Sequence, residues 1–397
     1  MRHLILALTC SLALPAAAQD ISSEIAANGI GATRDRLAAL PAPTDAESFA
    51  LGGLTFLSAV EEALQLRWRA RVATQFQAIP VLRLPVPPNP NPEPFRPEML
   101  RDMFAALDTR MADAAGVLEQ IPDSSDFKLE LRPADIWFDI DGNGARGERE
   151  GLFNVAGPML FGRGGVDMEA LQGMSFKFDV ADSRWLAAYA ELVRGTSLAV
   201  LAYDPTDSIA RVMEAHSAMA ELNRGTQMAN AMDMMVGNWA DSGAAVLWSL
   251  RSEPDAERGA QALAALEHMV ALNRDFWRLV GAETDNDAEW IPNDAQQSAT
   301  GLTFPEGTGA AWLEVLDDAD KLLKGELLLP YWRLGEERGL NLRRMFLDPK
   351  PIDLIGWIQG EAALPYAESG PLISGDSLDR FDRLVEGRGL MFAAVLN

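Results

Sequence analysis

The chain has 397 residues, a formal net charge of −24 at pH 7 and a single cysteine, Cys10. An electrostatic field of this sign repels phosphate backbones, so nucleic acid is a poor candidate partner. After the N-terminal segment, no stretch approaches the roughly 18 uninterrupted apolar residues that a spanning helix needs. The sequence therefore predicts no membrane span in the mature protein.

The first 18 residues (1–18) have the three parts of a cleavable secretory signal peptide. Arg2 gives a positive start, Leu4–Leu14 is an apolar stretch too short to cross a bilayer, and Ala16–Ala18 supplies small residues for the peptidase. We therefore expect export to the periplasm or the extracellular space, with cleavage after Ala18. Cys10 would leave with this segment, so the mature chain would contain no disulfide.

Helical periodicity dominates the remaining chain, because apolar residues recur at three- and four-residue spacing. These stripes predict an all-α fold, an irregular multi-helix domain with a short extended segment and a calcium-type loop. The extended segment is the alternating Phe127–Leu131. The apolar stripes run through Leu54–Val72, Leu100–Ile121, Trp185–Tyr203, Met232–Leu250, Leu263–Val280, Trp312–Leu323 and Phe381–Leu396, the last in a helix that Asp376 is predicted to cap.

Two stretches interrupt the helical pattern. Proline-rich residues 80–97 predict a stiff, extended strap over the surface, between an N-terminal helical segment (19–79) and a main helical domain (98–397). Thr284–Gly309 is polar and contains several acidic residues. A loop of this length inside a compact domain is usually functional or mobile.

Residues 139–150 match the EF-hand loop pattern, with oxygen donors at positions one, three and five, glycine at six and glutamate at twelve. Calcium prefers six to eight oxygen ligands at about 2.3–2.6 Å. In this pattern Gly144 permits the sharp turn. The predicted ligands of a structural Ca²⁺ ion are Asp139, Asp141, Asn143, the carbonyl of Ala145 and a bidentate Glu150.

The loop departs from a paired EF-hand in two ways. The eighth position, normally aliphatic, is Arg146, and the segment before the loop looks extended rather than helical. We therefore expect an isolated EF-hand-like loop. The alternative is a surface turn without metal, which Asp-Gly and Asn-Gly pairs also favour. Nearby, Asp179 and Asp182 are predicted to cap the next helix, or alternatively to lend oxygen to the calcium loop.

Ala181–Asp204 and a C-terminal block resemble segments of uncharacterised exported bacterial α-helical proteins that carry an EF-hand-like calcium loop upstream. In that block, Leu329–Arg333 and Gly339–Arg344 are followed by Trp357–Gly360 and by Pro365-Tyr366. The resemblance implies export and calcium binding, and it implies no particular activity.

The part of this block from Tyr331 to Tyr366 concentrates cationic and aromatic side chains, including Arg343 and Arg344. It is either a recognition surface or an internal docking surface whose arginines pair with acids of the helical body. Of the histidines, His216 and His268 remain after cleavage. Neither lies in a zinc-binding spacing, and we expect both at helix surfaces.

The sequence therefore predicts an exported, periplasmic or extracellular, calcium-stabilised helical protein with a binding or structural role. Its protein or glycan partner is not defined by the sequence. The alternative hypothesis is a glycan-directed hydrolase that uses paired carboxylates, with tryptophans stacking on sugar rings.

Overall fold

The computed structural model describes residues 20–72, 80–157, 173–224 and 231–396. The predicted signal peptide and its cleavage site lie outside the described residues. The described chain is all-α, as predicted. Its helices are α1 (Ile21–Ala38), α2 (Asp45–Arg69), α3 (Pro80–Arg83), α4 (Glu98–Glu119), α5 (Leu152–Val155), α6 (Val180–Ala202), α7 (Thr206–Leu222), α8 (Ala231–Leu250), α9 (Ala256–Val280), α10 (Thr308–Lys324), α11 (Leu342–Leu347), α12 (Leu354–Gln359), α13 (Asp376–Leu384) and α14 (Gly389–Leu396).

Short strands and turns connect these helices. The predicted extended segment forms β1 (Leu129–Leu131), which pairs antiparallel with β2 (Phe176–Phe178). A second sheet has the antiparallel order β3 (Leu329–Pro330), β4 (Arg338–Leu340) and β5 (Ala367–Ser369). Two 3₁₀ helices span Pro133–Asp135 and Glu361–Tyr366.

Helix α6 is the central element, packed between α4 and α9. Small buried side chains at Ala187, Ala188 and Ala190 allow its neighbours to approach closely. The helix begins at a capping box, in which the Asp179 carboxylate accepts the Ala181 N–H and the Asp182 carboxylate accepts the Asp179 N–H. The predicted capping role of these two residues is thus confirmed.

Two hydrophobic cores lie on either side of α6. The larger core joins α1, α2, α4 and α6, with Leu64 and Met111 fully buried, so residues before and after the strap share one core. The smaller core joins α9, α10, α13 and α14 around Val270 and Phe381. Each large apolar side chain buried in this way stabilises the fold by about 1.5–3 kcal/mol.

The proline-rich segment differs from its prediction at its start. Residues 80–83 form a short helix, α3, rather than extended chain, and Val81, Leu82 and Leu84 are buried in the larger core. The reason is that apolar side chains alternate with the prolines here, and burying them outweighs the preference for an extended surface path. From residue 85 to 96 the chain has no regular structure, and the Glu93 N–H bonds the Arg69 carbonyl at the end of α2.

The apolar stripe of α8 is exposed, whereas its periodicity predicts a buried face. Trp239 is 76% exposed, and Met235, Val246 and Leu247 are exposed as well. Helix α8 packs chiefly against α7, and these two helices form a hairpin whose outer part no other described helix covers. Apolar as α8 is, no helix in the described part of the chain is long and apolar enough to cross a membrane.

The predicted C-terminal helix is two helices. Helix α13 begins at Asp376, and the chain breaks at Glu386 and Gly387, both of which have positive φ, before α14 begins. The predicted apolar residues Phe381 and Phe392 are nevertheless fully buried, one on each helix.

Candidate calcium site and neighbouring charged clusters

The EF-hand-like loop is closed at its base by backbone hydrogen bonds. Trp137 and Gly151 form an antiparallel bridge. On the loop side of this bridge the Phe138 N–H donates to the Glu150 carbonyl at 2.8 Å, and on the other side the Leu152 N–H donates to the Ile136 carbonyl at 2.9 Å. This base fixes where the loop starts and ends.

Side-chain oxygens of the loop accept hydrogen bonds from its backbone N–H groups. The two carboxylate oxygens of Asp139 accept the N–H groups of Asn143 at 2.9 Å and Gly144 at 3.0 Å. The Asn143 side-chain oxygen accepts the Ala145 N–H at 2.7 Å. Gly144 has a φ of +75°, a left-handed conformation that costs glycine little, and Gly142 has a φ of +70°. The sixth position therefore adopts the turn for which the pattern requires glycine.

Three predicted ligands lie within reach of one ion. Asp139, Asp141 and Glu150 each offer a carboxylate oxygen, and these oxygens all lie within 4.8 Å of one another. Two oxygens on opposite sides of a calcium ion are about 5 Å apart. Glu150 is only 5% exposed, and its carboxylate accepts the N–H groups of Ile140 at 2.9 Å and Gly147 at 2.6 Å. These donors are neutral, so its buried charge is not offset by them.

Glu61 of α2 is a further acidic neighbour that the sequence pattern did not indicate. Its carboxylate accepts the Asp139 N–H at 2.7 Å, and Gln65 one turn later donates to the Asp139 carbonyl at 2.8 Å. Burial raises the pKa of Glu61 to about 7, and the charges of Asp139 and Glu150 act in the same direction. A signal was present, because Glu61 lies among the apolar residues of the α2 stripe.

Arg146, the departure at the eighth position, does not enter the loop's oxygen cluster. Its guanidinium donates to the Ala134 carbonyl at 2.9 Å, in the 3₁₀ helix that precedes the loop. The chain enters the loop from this 3₁₀ helix and leaves it into the short helix α5. The flanks thus differ from the two long helices of a paired EF-hand.

A second acidic cluster lies where β1, the start of α6 and the polar loop after α9 meet. Glu283, Asp285 and Glu289 offer oxygens within 4.8 Å of one another. Here a cation is built in, because the Lys128 ammonium lies 2.9 Å from both Asp179 and Asp285. Burial, followed by the charge of Asp179, raises the pKa of Glu283 to about 7.

The contacts of this cluster bear on the alternative prediction that Asp179 and Asp182 lend oxygen to the calcium loop. Asp179 binds Lys128 and the Ala181 N–H, and Asp182 binds the Asp179 N–H. None of these three contacts involves the loop at 139–150. These two residues therefore cap α6 and belong to the lysine-bridged cluster.

In the C-terminal block, the paired arginines bind acids on other elements. Arg343 lies 2.5 Å from Glu267 of α9, and Arg344 lies 3.0 Å from Glu368 of β5. All four side chains are about one-third to one-half exposed. These contacts favour the docking interpretation for this pair. A cavity of about 370 Å³ lies in the same block, but Arg333 rather than Arg343 or Arg344 contributes to its wall.

His268 of α9 lies at the surface, as predicted, and contacts side chains of two other helices. Its Nε2 lies 3.1 Å from Glu119 of α4, and its Nδ1 lies 3.7 Å from Glu191 of α6. The hydrogen bond to Glu119, then that to Glu191, raises the pKa of His268 to about 10. The imidazole is therefore charged at neutral pH.

Replacing His268 with glutamine is expected to lower the free energy of unfolding by about 1 kcal/mol near pH 6. The side chain is 42% exposed, so solvent screening reduces the effect. Because the folded pKa is raised, this stability is fully present below the unfolded pKa of about 6.5 and is lost as pH rises through about 10. Urea unfolding across this range measures it. An equal loss near pH 6 in a Glu119→Gln background would contradict the pairing.

Comparison of the chain with protein-family models, curated proteins and solved structures gives no match. The resemblance of Ala181–Asp204 and the C-terminal block to exported calcium-loop proteins therefore stays a prediction.

Proposed function

We propose that this is an exported, calcium-stabilised helical protein with a binding or structural role. The observation that carries the proposal is the convergence of Asp139, Asp141 and Glu150 oxygens within 4.8 Å. It occurs in a loop whose sixth residue has the left-handed φ of the EF-hand pattern. Asn143 and the Ala145 carbonyl would complete the ligand set.

The chemistry of these donors suits calcium. All are oxygens, which a hard divalent cation prefers, and three are carboxylates. Bound calcium would offset the charge of the buried Glu150 and of its neighbour Glu61. The strongly acidic chain also raises the local concentration of cations.

A stabilising role is favoured over a switching role. Sensor EF-hands respond to calcium by opening a pair of helices. Here the loop is flanked by a 3₁₀ helix and a four-residue helix, and its base is hydrogen bonded. Calcium would thus hold one arrangement of the loop rather than move one element past another.

The test is thermal unfolding with calcium and with a chelator. Calcium that binds only the folded state is expected to add about 2.7 kcal/mol at a hundredfold excess over Kd. The melting temperature should rise with calcium and fall with chelator, while the far-UV dichroism at room temperature hardly changes. Calorimetric titration should give one calcium ion per chain.

Glu150→Gln is expected to abolish the calcium-dependent rise, because it removes a charged bidentate ligand. Glu148→Gln is the matched control, since it removes the same charge from an exposed, non-ligand position of the same loop. The proposal fails if Glu150→Gln responds to calcium as the wild type does, or if both variants lose the response equally.

The hydrolase alternative has no observation in its favour. It requires two carboxylates across an open groove with tryptophan at its walls. The cavity beside the C-terminal block has one carboxylate, Glu361, and no tryptophan, and a groove of about 620 Å³ next to α8 also has one, Asp241. Paired-carboxylate catalysis therefore stays a prediction.

A further inference from the structure

Two adjoining apolar cavities lie inside the helical body, beside the candidate calcium loop. The first, of about 220 Å³, extends toward α1 and β2, and the second, of about 210 Å³, extends toward α3 and α5. We call them the front and rear lobes. Six residues line both lobes and so form their junction: Phe56, Leu57, Leu152, Trp185, Leu186 and Trp290.

The walls of both lobes are almost entirely hydrocarbon, which excludes a sugar or another ligand with many hydroxyl groups. Such a ligand would leave its hydrogen bonds with water and find few replacements. Together the lobes reach the lower part of the range of about 300–1,000 Å³ that is typical of small-molecule sites. Their size and shape suit one slender apolar molecule that passes the junction.

Two polar donors in these walls have no acceptor among the residues that the structure describes. Trp290 Nε1 at the junction and Arg83 Nε in the rear lobe are buried without a hydrogen-bond partner. A buried donor left unpaired costs about 1–3 kcal/mol. Trp277 Nε1 is also unpaired, but Trp277 lines neither lobe, so an unpaired indole alone does not mark a site.

Arg83 distinguishes this cavity from a simple packing defect. Within the described residues no carboxylate pairs with it, and its polar neighbour is the hydroxyl of Tyr189. A guanidinium in the wall of an apolar cavity, with its Nε buried and unpaired, favours an anionic, planar acceptor such as a carboxylate. The Tyr189 hydroxyl would provide a second donor to the same group.

We propose that the two lobes bind one medium-chain fatty acid, with its carboxylate on Arg83 and Tyr189 and its chain across the junction at Trp290. This gives a ligand class to the binding role proposed above and so rests on it. The geometry links the two sites, because Ile136 lines the front lobe, Phe138 lines the rear lobe, and the calcium loop begins at the next residue.

The test is calorimetric titration of the full protein, freed of lipid by extraction, with dodecanoate below its micelle concentration. One dodecanoate is expected per chain, and dodecanol, which lacks the charge, should bind at least tenfold more weakly, as the loss of about 1.5 kcal/mol from a charged hydrogen bond implies. Absence of dodecanoate binding, or equal affinity for the two compounds, overturns the proposal.

Variants separate the head-group contact from the chain contact. Arg83→Met should weaken dodecanoate by about tenfold and leave dodecanol almost unchanged. Leu186→Trp, which fills the junction, should weaken both compounds. Trp290→Phe, which removes part of the junction wall that the chain contacts, should weaken both compounds, whereas the matched control Trp277→Phe should weaken neither. Unchanged affinity in Arg83→Met and Trp290→Phe contradicts the site, and circular dichroism identifies any variant that fails to fold.

Calcium and fatty acid are tested independently. Dodecanoate is titrated into wild type and Glu150→Gln, and the calcium response of the melting temperature is measured without dodecanoate. A normal calcium response with no dodecanoate binding rejects the cavity proposal alone. Dodecanoate binding with no calcium response in the wild type rejects the calcium site alone.

Discussion

Replacing Arg67 with methionine is expected to lower the free energy of unfolding by about 3 kcal/mol. Arg67 is 1% exposed at the end of α2, and its guanidinium donates to the carbonyls of Val81 at 2.8 Å and Leu84 at 2.9 Å. Each carbonyl left unpaired in the core costs about 1–3 kcal/mol. Methionine keeps much of the side-chain volume, so the loss reports on the hydrogen bonds. Urea unfolding measures it.

The matched control is Arg69→Met, two residues later on the same helix. Arg69 is 55% exposed and lies 3.7 Å from Glu93, so its loss should change stability by less than about 0.5 kcal/mol. A similar effect of the two substitutions would mean that the Arg67 hydrogen bonds contribute little.

Arg67 also has a bearing on the proposed ligand site. Val81 and Leu84, whose carbonyls it holds, line the rear lobe together with Arg83. Burial lowers the pKa of Arg67 to about 10, so the guanidinium remains charged at neutral pH. Arg67→Met should therefore weaken dodecanoate more than Arg69→Met does, because α3 would lose its anchor.

Local patterns predict the helices well, because an apolar stripe at helical spacing usually marks the buried face of a helix. On α4, Met103, Leu107, Met111 and Leu118 are all buried as the spacing predicts. The cap at Asp179 and the extended conformation of β1 also follow from short-range chemistry. These features depend on residues close in sequence, so a single chain suffices to see them.

Features that depend on distant residues were not predictable in this way. Glu61 joins the candidate calcium site through a contact 78 residues along the chain, with Asp139. Whether the stripe of α8 is covered depends on a third layer, and no local pattern shows that Trp239 stays exposed. The same reason explains why α3 folds into the core although prolines surround it.

The same distinction between local and long-range features holds for the candidate sites. The EF-hand spacing indicates Asp139, Asp141 and Glu150, because all the predicted ligands belong to one loop. The apolar lobes were not visible in the sequence, since Arg83, Tyr189 and Trp290 are brought together only by the fold. Each of these residues has an ordinary interpretation when taken alone.

Replacing Gly259 with alanine is expected to destabilise the protein by about 1–2 kcal/mol, although alanine is the better helix former. A Cβ at Gly259 of α9 would lie 2.3 Å from the backbone carbonyl oxygen of Phe346 in α11. A backbone atom moves only with its whole segment, and α11 is fixed at its start by the Asn341 cap. Strain from overpacking of about 1–3 kcal/mol or more should outweigh the helix preference of about 1 kcal/mol.

Gly116→Ala in α4 is the control, because nothing lies within 4 Å of its Cβ and stability should rise by about 0.5–1 kcal/mol. Urea unfolding of both variants measures the difference, and a rise in stability for Gly259→Ala would show that α11 does not rest on α9 in this way.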